Sequence, residues 1–357
     1  MVKKMFDKAF YKGKTVFITG VTGFKGSWMS LLLARNGVNV VGYALKPPTD
    51  PSLFDLLKLQ EKITFVEGDI RDLEKLKSAV QSAQPDIVIH MAAQPLVRES
   101  YSQPVYTYDV NVMGTVNILE SIRCCSSVKS FVNVTTDKVY RNNEWEWGYR
   151  ETDVLDGYDP YSNSKSCSEL VTSSYKKSFF SKTDVRISTC RAGNVIGGGD
   201  FAADRIIPDC VRAMERGDEI IVRNPYSIRP YQHVLEPVCA YLMVAQRQYE
   251  DASLQGNYNI GPDNCDCVTT GTLADLFCKY WGEEAHWINL SPEGAPHEAG
   301  LLKLDCARIQ RVMNWRPVWH IDDAVKKVVE WSKVYLRHGN LAEEMDRQID
   351  AYIGKDK

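Results

Sequence analysis

Two short segments carry side chains able to move protons. In Asp159-Pro160-Tyr161-Ser162-Asn163-Ser164-Lys165, a phenol and an amine stand four residues apart, a spacing that puts both on one helical face. Pro160 suits the first turn of that helix. A lysine cation beside a phenol favours the phenolate, so Tyr161 could take a proton from a hydroxyl while hydride leaves the same carbon. The second segment is Thr135-Thr136-Asp137-Lys138-Val139-Tyr140, at the end of the apolar run Ser130–Thr136. It presents a hydroxyl, a carboxyl and an amine in succession. Ligands of parallel sheets bind beyond the carboxyl ends of strands, which is where these groups fall.

Tyr-x-x-x-Lys is a common accident, and its weight comes from what precedes it. The first apolar run leads straight into Gly20-Val21-Thr22-Gly23-Phe24-Lys25-Gly26, followed by an apolar stretch from Ser27 to Asn36. Glycines at this spacing, between a strand and a helix, permit a tight turn and let the backbone approach a pyrophosphate at the helix N-terminus. Dinucleotide binding follows, with contacts expected from Gly20, Thr22, Gly23, Phe24, Lys25 and Gly26. An acid for the ribose should close the second strand, yet that strand ends Gly42-Tyr43-Ala44-Leu45-Lys46. Lys46 would even suit a 2′-phosphate, so the loop leaves NAD and NADP open. Asp69 and Ile70 are expected near adenine. Ala92, Ala93, Gln94 and Thr135 stand at strand ends and join Tyr161 and Lys165 as cofactor contacts, with Lys165 on the nicotinamide ribose. His90 lies inside a buried run and reads as packed.

These side chains need a scaffold, and the chain supplies one. Runs at Thr15–Gly20, Val38–Leu45, Ile63–Asp69, Asp86–Ala93, Ser130–Thr136 and Val185–Cys190 alternate with helix-patterned stretches. Their continuous apolar character marks strands covered on both faces. The fold class is therefore α/β, a doubly wound parallel Rossmann sheet. After residue 195 the pattern loosens into a smaller α/β substrate-binding lobe, with helices near 205–216, 234–249, 271–281 and 321–337. The expected division is 1–190 for the dinucleotide domain, which also receives part of 230–262, and 191–357 for the second lobe.

At 44% hydrophobic and 25% charged residues the composition is that of a globular enzyme, and a net charge of −3 with dispersed basic residues argues against nucleic acid as a partner. No apolar run suits a membrane span or a signal peptide, and a cytoplasmic location is expected. Ten cysteines without paired CxxC spacings read as reduced structural thiols, with no metal.

Taken together, these residues resemble the extended short-chain dehydrogenase/reductase family of NAD-dependent epimerases and dehydratases. The resemblance spans nearly the whole chain. Its more specific parts are Arg191-Ala192-Gly193-Asn194-Val195-Ile196-Gly197-Gly198-Gly199-Asp200, Ser227 through Pro237 and Leu302-Lys303-Leu304-Asp305, which point to the branch acting on CDP-sugars. Within the family, dTDP-glucose dehydratases carry Thr-Asp-Glu where this chain has Thr136-Asp137-Lys138. The resemblance implies NAD as cofactor and CDP-glucose as substrate. It implies oxidation at carbon 4 through Tyr161, then loss of water across carbons 5 and 6 with Asp137 as acid and Lys138 as base, and Thr136 bonded near carbon 4. Gln94, with Arg98 as a weaker candidate, is expected on the sugar side; Asn194, Arg205, Arg229 and His297 are expected at the nucleotide end. A homodimer through helices near 104–125 and 160–180, possibly doubled to a tetramer, is also implied. Two rival readings are a nucleotide-sugar 4-epimerase and a non-catalytic dinucleotide sensor.

Overall fold

The computed structural model describes residues 5–290 and 300–354. The β-branched runs become strands β1 (Thr15–Thr19), β2 (Asn39–Ala44), β3 (Thr64–Glu67), β4 (Ile87–His90), β5 (Ser130–Thr136) and β6 (Arg186–Ala192). Every residue of β4 and β5 is buried, as expected when helices cover both faces of a parallel sheet. A seventh strand, Asn257–Ile260, returns from the second half of the chain to pair with β6. The sheet order is Asn257–Ile260, β6, β5, β4, β1, β2, β3, and every pairing is parallel. The order reverses between β1 and β4. In such sheets that reversal opens a crevice beyond the carboxyl ends of the strands.

One face of the sheet is covered by the helices Phe24–Arg35 and Leu235–Glu250, around a core that includes Trp28, Leu32, Leu235 and Tyr241. The other face packs Phe17, Val88 and Phe131 against Leu76, Val80, Ile118 and Ile122 of the helices Leu73–Ala83 and Gly114–Arg123. The segment 235–260 thus packs on the seven-stranded sheet and supplies one of its strands.

The second lobe has a core of its own, in which Ile207 and Cys210 of the helix Ile206–Arg216 meet Leu273 and Phe277 of Thr270–Trp281 and Val325 and Val328 of Ile321–Leu336. Short strand pairs complete it. Ile220–Val222 lies parallel to Trp287–Asn289, and Ile228–Pro230 antiparallel to Cys267–Thr269. The Trp28 indole N–H donates to the Gly198 carbonyl at 2.9 Å, joining the lobes behind the crevice.

The helix Pro160–Ser178 carries Tyr161 and Lys165 across the sheet. Asp159 caps it, accepting from the Ser162 amide at 2.9 Å, and Pro160 fills its first position. Its rotation is set further along by Glu169. The Arg191 guanidinium grips that carboxylate with two bonds, Nε at 3.0 Å and Nη2 at 2.8 Å, and both side chains are 1% exposed. Thr135 and Thr189 hydroxyls also donate to Glu169. Arg191 donates to the Tyr140 hydroxyl, which donates to Asn259 on the seventh strand. A paired and fully hydrogen-bonded buried charge persists where a lone one would not. Glu169→Gln leaves Arg191 uncompensated, and urea unfolding of this variant should show a loss of about 3–5 kcal/mol; a loss under about 1 kcal/mol would mean that the pair does not hold the helix.

Candidate active site

Three elements meet at the crevice: the glycine turn after β1, the end of β5, and the first turns of Pro160–Ser178. Gly20 has φ +80°, and a Cβ there would stand 2.8 Å from the Ala92 backbone nitrogen. A Cβ on Gly26 would stand 2.2 Å from the Gly20 carbonyl oxygen, so helix and turn touch backbone to backbone. Gly23 differs. Its Cβ would meet nothing nearer than 3.5 Å, so the protein itself leaves room there. No side chain caps the helix that begins at Phe24. An open glycine beside uncapped N–H groups suits an anion, and a dinucleotide pyrophosphate fits. Thr22 bonds the Leu45 carbonyl at 3.0 Å and pins the turn to the end of β2.

At the end of β5 the side chains form a string. Tyr161 stands close enough to Thr136 to feel it electrostatically. The Thr136 hydroxyl donates to Asp137 Oδ1 at 2.9 Å, Lys138 Nζ donates to the same oxygen at 3.2 Å, and Nζ also reaches Asn194 Oδ1 at 3.3 Å. Asp137 is fully buried, and its Oδ2 has no partner among the described residues. A Cβ on Gly193 would stand 3.1 Å from that oxygen, so the second lobe closes directly over it. A buried carboxylate oxygen without a partner is costly, and a substrate hydroxyl would relieve it.

Burial pushes the Tyr161 phenol up to about 12; Thr136 and the Arg205 cation pull it down, whereas Asp137 pushes it up. Lys165 is pushed down to about 7, first by burial and then by the Lys25 cation, against the pull of Glu169. It donates to the Val134 carbonyl at 3.4 Å and forms no ion pair among the described residues. Lys25 itself is brought down to about 8 by burial and by Arg205. His90 is held near 3 by burial and bonds Thr19 at 2.7 Å, so it is a neutral, packed imidazole.

Several expected contacts have other tasks in the fold. The Gln94 amide donates to the Leu96 carbonyl and Thr107, and its oxygen accepts from the Leu96 amide. This side chain braces its own loop, with one acceptor position of its oxygen left over. The Thr135 hydroxyl is bound to Glu169 at 2.5 Å and faces the buried network, not the cofactor side. Ile70 is packed against Gly114, and its carbonyl accepts from Asn117. Asp69 is paired with Arg71 at 2.6 Å, which holds its carboxyl below the usual range. Ala92 and Ala93 line the crevice opposite Gly20, partly exposed. Lys46 is exposed past β2. Asn194 meets Lys138 at 3.3 Å. Arg205 is paired with Asp200 at 2.8 Å within electrostatic reach of Tyr161. Arg229 is buried on Ile228–Pro230 and donates to the Ile228 carbonyl. Arg98 crosses to Asp204 of the second lobe at 3.4 Å. His297 lies outside the described residues.

Asn111 went unnoticed in the sequence. It sits in a π-helical turn, Asp109–Met113, accepts from the Gln94 amide, and donates to the Gln94 carbonyl and to Ser164. It therefore links the loop after β4 to the helix of Tyr161. The only sequence signal was a polar residue between Val110 and Val112 in an otherwise apolar stretch.

With the geometry in place, comparison with known proteins gives a consistent answer. Residues 17–328 match the family model described as GDP-mannose 4,6 dehydratase. The chain belongs to this family. It is 48% identical over 355 residues to a CDP-glucose 4,6-dehydratase of Salmonella typhimurium, covering 98% of this chain and 99% of that one. It is 26% identical over 344 residues to a CDP-paratose 2-epimerase of Salmonella typhi, covering 89% and 98%. In fold it is similar to a UDP-glucose 4-epimerase of Thermotoga maritima, with TM-score 0.79, 22% identity and coverage of 90% and 99%. It is likewise similar to a dTDP-glucose 4,6-dehydratase of Bacillus anthracis solved with NAD, with TM-score 0.74, 19% identity and coverage of 92% and 99%.

The depressed Lys165 has a measurable consequence for stability. The unfolded lysine keeps its proton to about pH 10.4, while the folded one releases it near 7. Between those values the unfolded chain binds more protons, so this residue makes stability rise with pH. Lys165→Met removes the cost of a buried cation. Its stability gain over the parent, from urea unfolding, should be greatest at about pH 6 and shrink by about pH 9.5. A gain independent of pH would contradict the assignment.

Proposed function

We propose that this member of the family is an NAD-dependent CDP-glucose 4,6-dehydratase, forming CDP-4-keto-6-deoxyglucose. The observation that carries the reading is the bonded set Thr136–Asp137–Lys138 at the crevice with Tyr161 beside it, supported by the full-length likeness to the Salmonella dehydratase. NAD, when bound, supplies the reversible two-electron acceptor that allows carbon 4 to be oxidised and carbon 6 to be reduced later. The open turn at Gly23 and Lys165, which holds only the Val134 carbonyl at 3.4 Å among the described residues, are suited to its pyrophosphate and ribose.

Tyr161 takes the proton of the carbon-4 hydroxyl, with Thr136 bonded to the same oxygen. Lys165 and the positive nicotinamide favour the phenolate that burial alone would oppose. The carbon-4 ketone acidifies the hydrogen on carbon 5. Lys138 removes that proton while Asp137 protonates the departing carbon-6 hydroxyl, which leaves as water. The pair is well arranged for this. Moving one proton along the 3.2 Å bond from Lys138 Nζ to Asp137 Oδ1 turns the ion pair into a neutral amine and a neutral acid. That exchange leaves the net charge of the cleft unchanged. Asn194, bonded to Nζ, orients the amine. Lys138 then returns a proton to carbon 5.

Arg205, Arg229 and His297 remain the proposed contacts for the nucleotide end, and Arg suits its phosphates. The helices 104–123 and 160–178 expose Val105, Met113 and Leu170, and Phe179 follows directly at the end of the second, a set suited to burial between two copies; the proposal includes a homodimer through these helices, open to doubling into a tetramer. Ten free thiols suit a reducing compartment, and the proposal puts the enzyme in the cytoplasm. No helix of the described residues is long and apolar enough to cross a membrane.

Incubation with NAD and CDP-, dTDP- or GDP-linked sugars, one at a time, tests the reading. CDP-glucose should give a product lighter by one water, with the alkaline absorbance of a 4-keto sugar. A product of unchanged mass, epimerised at carbon 4, would overturn it, as would turnover confined to another nucleotide.

A further inference from the structure

We propose that Cys265, Asp266 and His320 form a binding site for a zinc-class divalent cation at the surface of the second lobe. The three side chains come from two segments that the fold brings together: the turn Asn264–Asp266 and the residue just before the helix Ile321–Leu336. They offer one thiol, one carboxylate and one imidazole, the donor types that zinc takes.

The spacing is close to that of a formed site. The sulfur, a carboxylate oxygen and a ring nitrogen all lie within 4.8 Å of one another. His320 Nδ1 stands 2.8 Å from Asp266 Oδ2, and Cys265 Sγ 3.8 Å from the same oxygen. Tetrahedral zinc with its usual bond lengths sets its ligand atoms about 3.3–3.8 Å apart, so small side-chain rotations suffice. The proton now between Oδ2 and Nδ1 would give way to the ion, and the thiol proton would leave to water. A carboxylate and a thiolate then balance the two positive charges.

The arrangement is also anchored. Asp266 is 4% exposed, and its Oδ1 accepts the Ile321 amide at 3.0 Å. That bond at the helix start fixes the carboxylate with Oδ2 turned toward the other two donors, as outer bonds orient the ligands of metal sites. Cys265 and the His320 side chain are exposed, which leaves the ion a path from solvent and a fourth position for water. Asp263 lies close enough to act on the charges of both Cys265 and His320, and it adds attraction for a cation. The strand Cys267–Thr269 follows at once and pairs with Ile228–Pro230. A bound ion would therefore brace the wall of the second lobe without touching the reacting groups.

The test uses the full chain, stripped with a chelator and titrated with zinc alone, then with cobalt. The parent should bind one zinc per chain, and cobalt should give a near-ultraviolet thiolate charge-transfer band. Cys265→Ser should abolish the band. Cys265→Ser and His320→Gln should each weaken zinc binding by about tenfold or more. Both residues are exposed, so the variants should keep the parent's metal-free urea midpoint. Cys124→Ser, which removes the other exposed thiol, should change nothing. Absence of zinc from the parent, affinity unchanged in both site variants, or equal loss in Cys124→Ser would overturn the proposal.

Discussion

The bidentate bond between Arg191 and Glu169 sets the geometry of everything at the crevice. Glu169 lies one turn beyond Lys165 on the helix Pro160–Ser178, and Arg191 lies on β6. Their bond fixes how that helix is rotated over the sheet, and hence where Tyr161 and Lys165 point. Removing both charges from water is expensive. The cost is offset by further bonds to Thr135, Thr189, Tyr140 and the Glu151 carbonyl. The same network reaches Asn259 on the seventh strand, so the segment that returns from the second half of the chain is part of the support.

On this support sits a site that holds its charges close together. Lys25, Lys138, Lys165 and Arg205 gather at the cleft, where Asp137 and Asp200 are joined by Glu169, which is itself paired with Arg191, so cations outnumber the unpaired acids there. The pyrophosphates of two nucleotides would complete the balance. Each lysine keeps a separate neighbour, Asp137 for Lys138 and the Val134 carbonyl for Lys165, and this keeps the proton movements apart. Close approach of Gly193 covers Asp137 Oδ2, which has no hydrogen-bond partner among the described residues.

Much of this was legible in the sequence, and the division follows from range. The glycine turn and the Tyr161–Lys165 pair are local patterns whose spacing is dictated by backbone geometry, so they could be read directly. Thr136, Asp137 and Lys138 were found because a strand's carboxyl end predicts where side chains emerge. What was not legible depends on distant partners. Thr135 and Thr136 are neighbours of the same type, yet the pleat sends one hydroxyl to Glu169 and the other to Asp137. The bonds of Gln94 were hidden because its acceptors, Leu96 and Thr107, become adjacent only when the loop folds back. Asn111 needed a π-helical turn that no spacing rule announces. The bonds of Arg191 cannot be read without knowing that β6 runs beside β5.

The account turns on Lys138 being the base that serves carbon 5 of a sugar oxidised by Tyr161. The direct measurement is exchange of the carbon-5 hydrogen of CDP-glucose with deuterated water in a Lys138→Met variant supplied with NAD, followed beside oxidation at carbon 4. Oxidation should persist while exchange falls by about a hundredfold or more. Exchange at the parent's rate would contradict the role of Lys138 and the convergence of the site on one hexose ring.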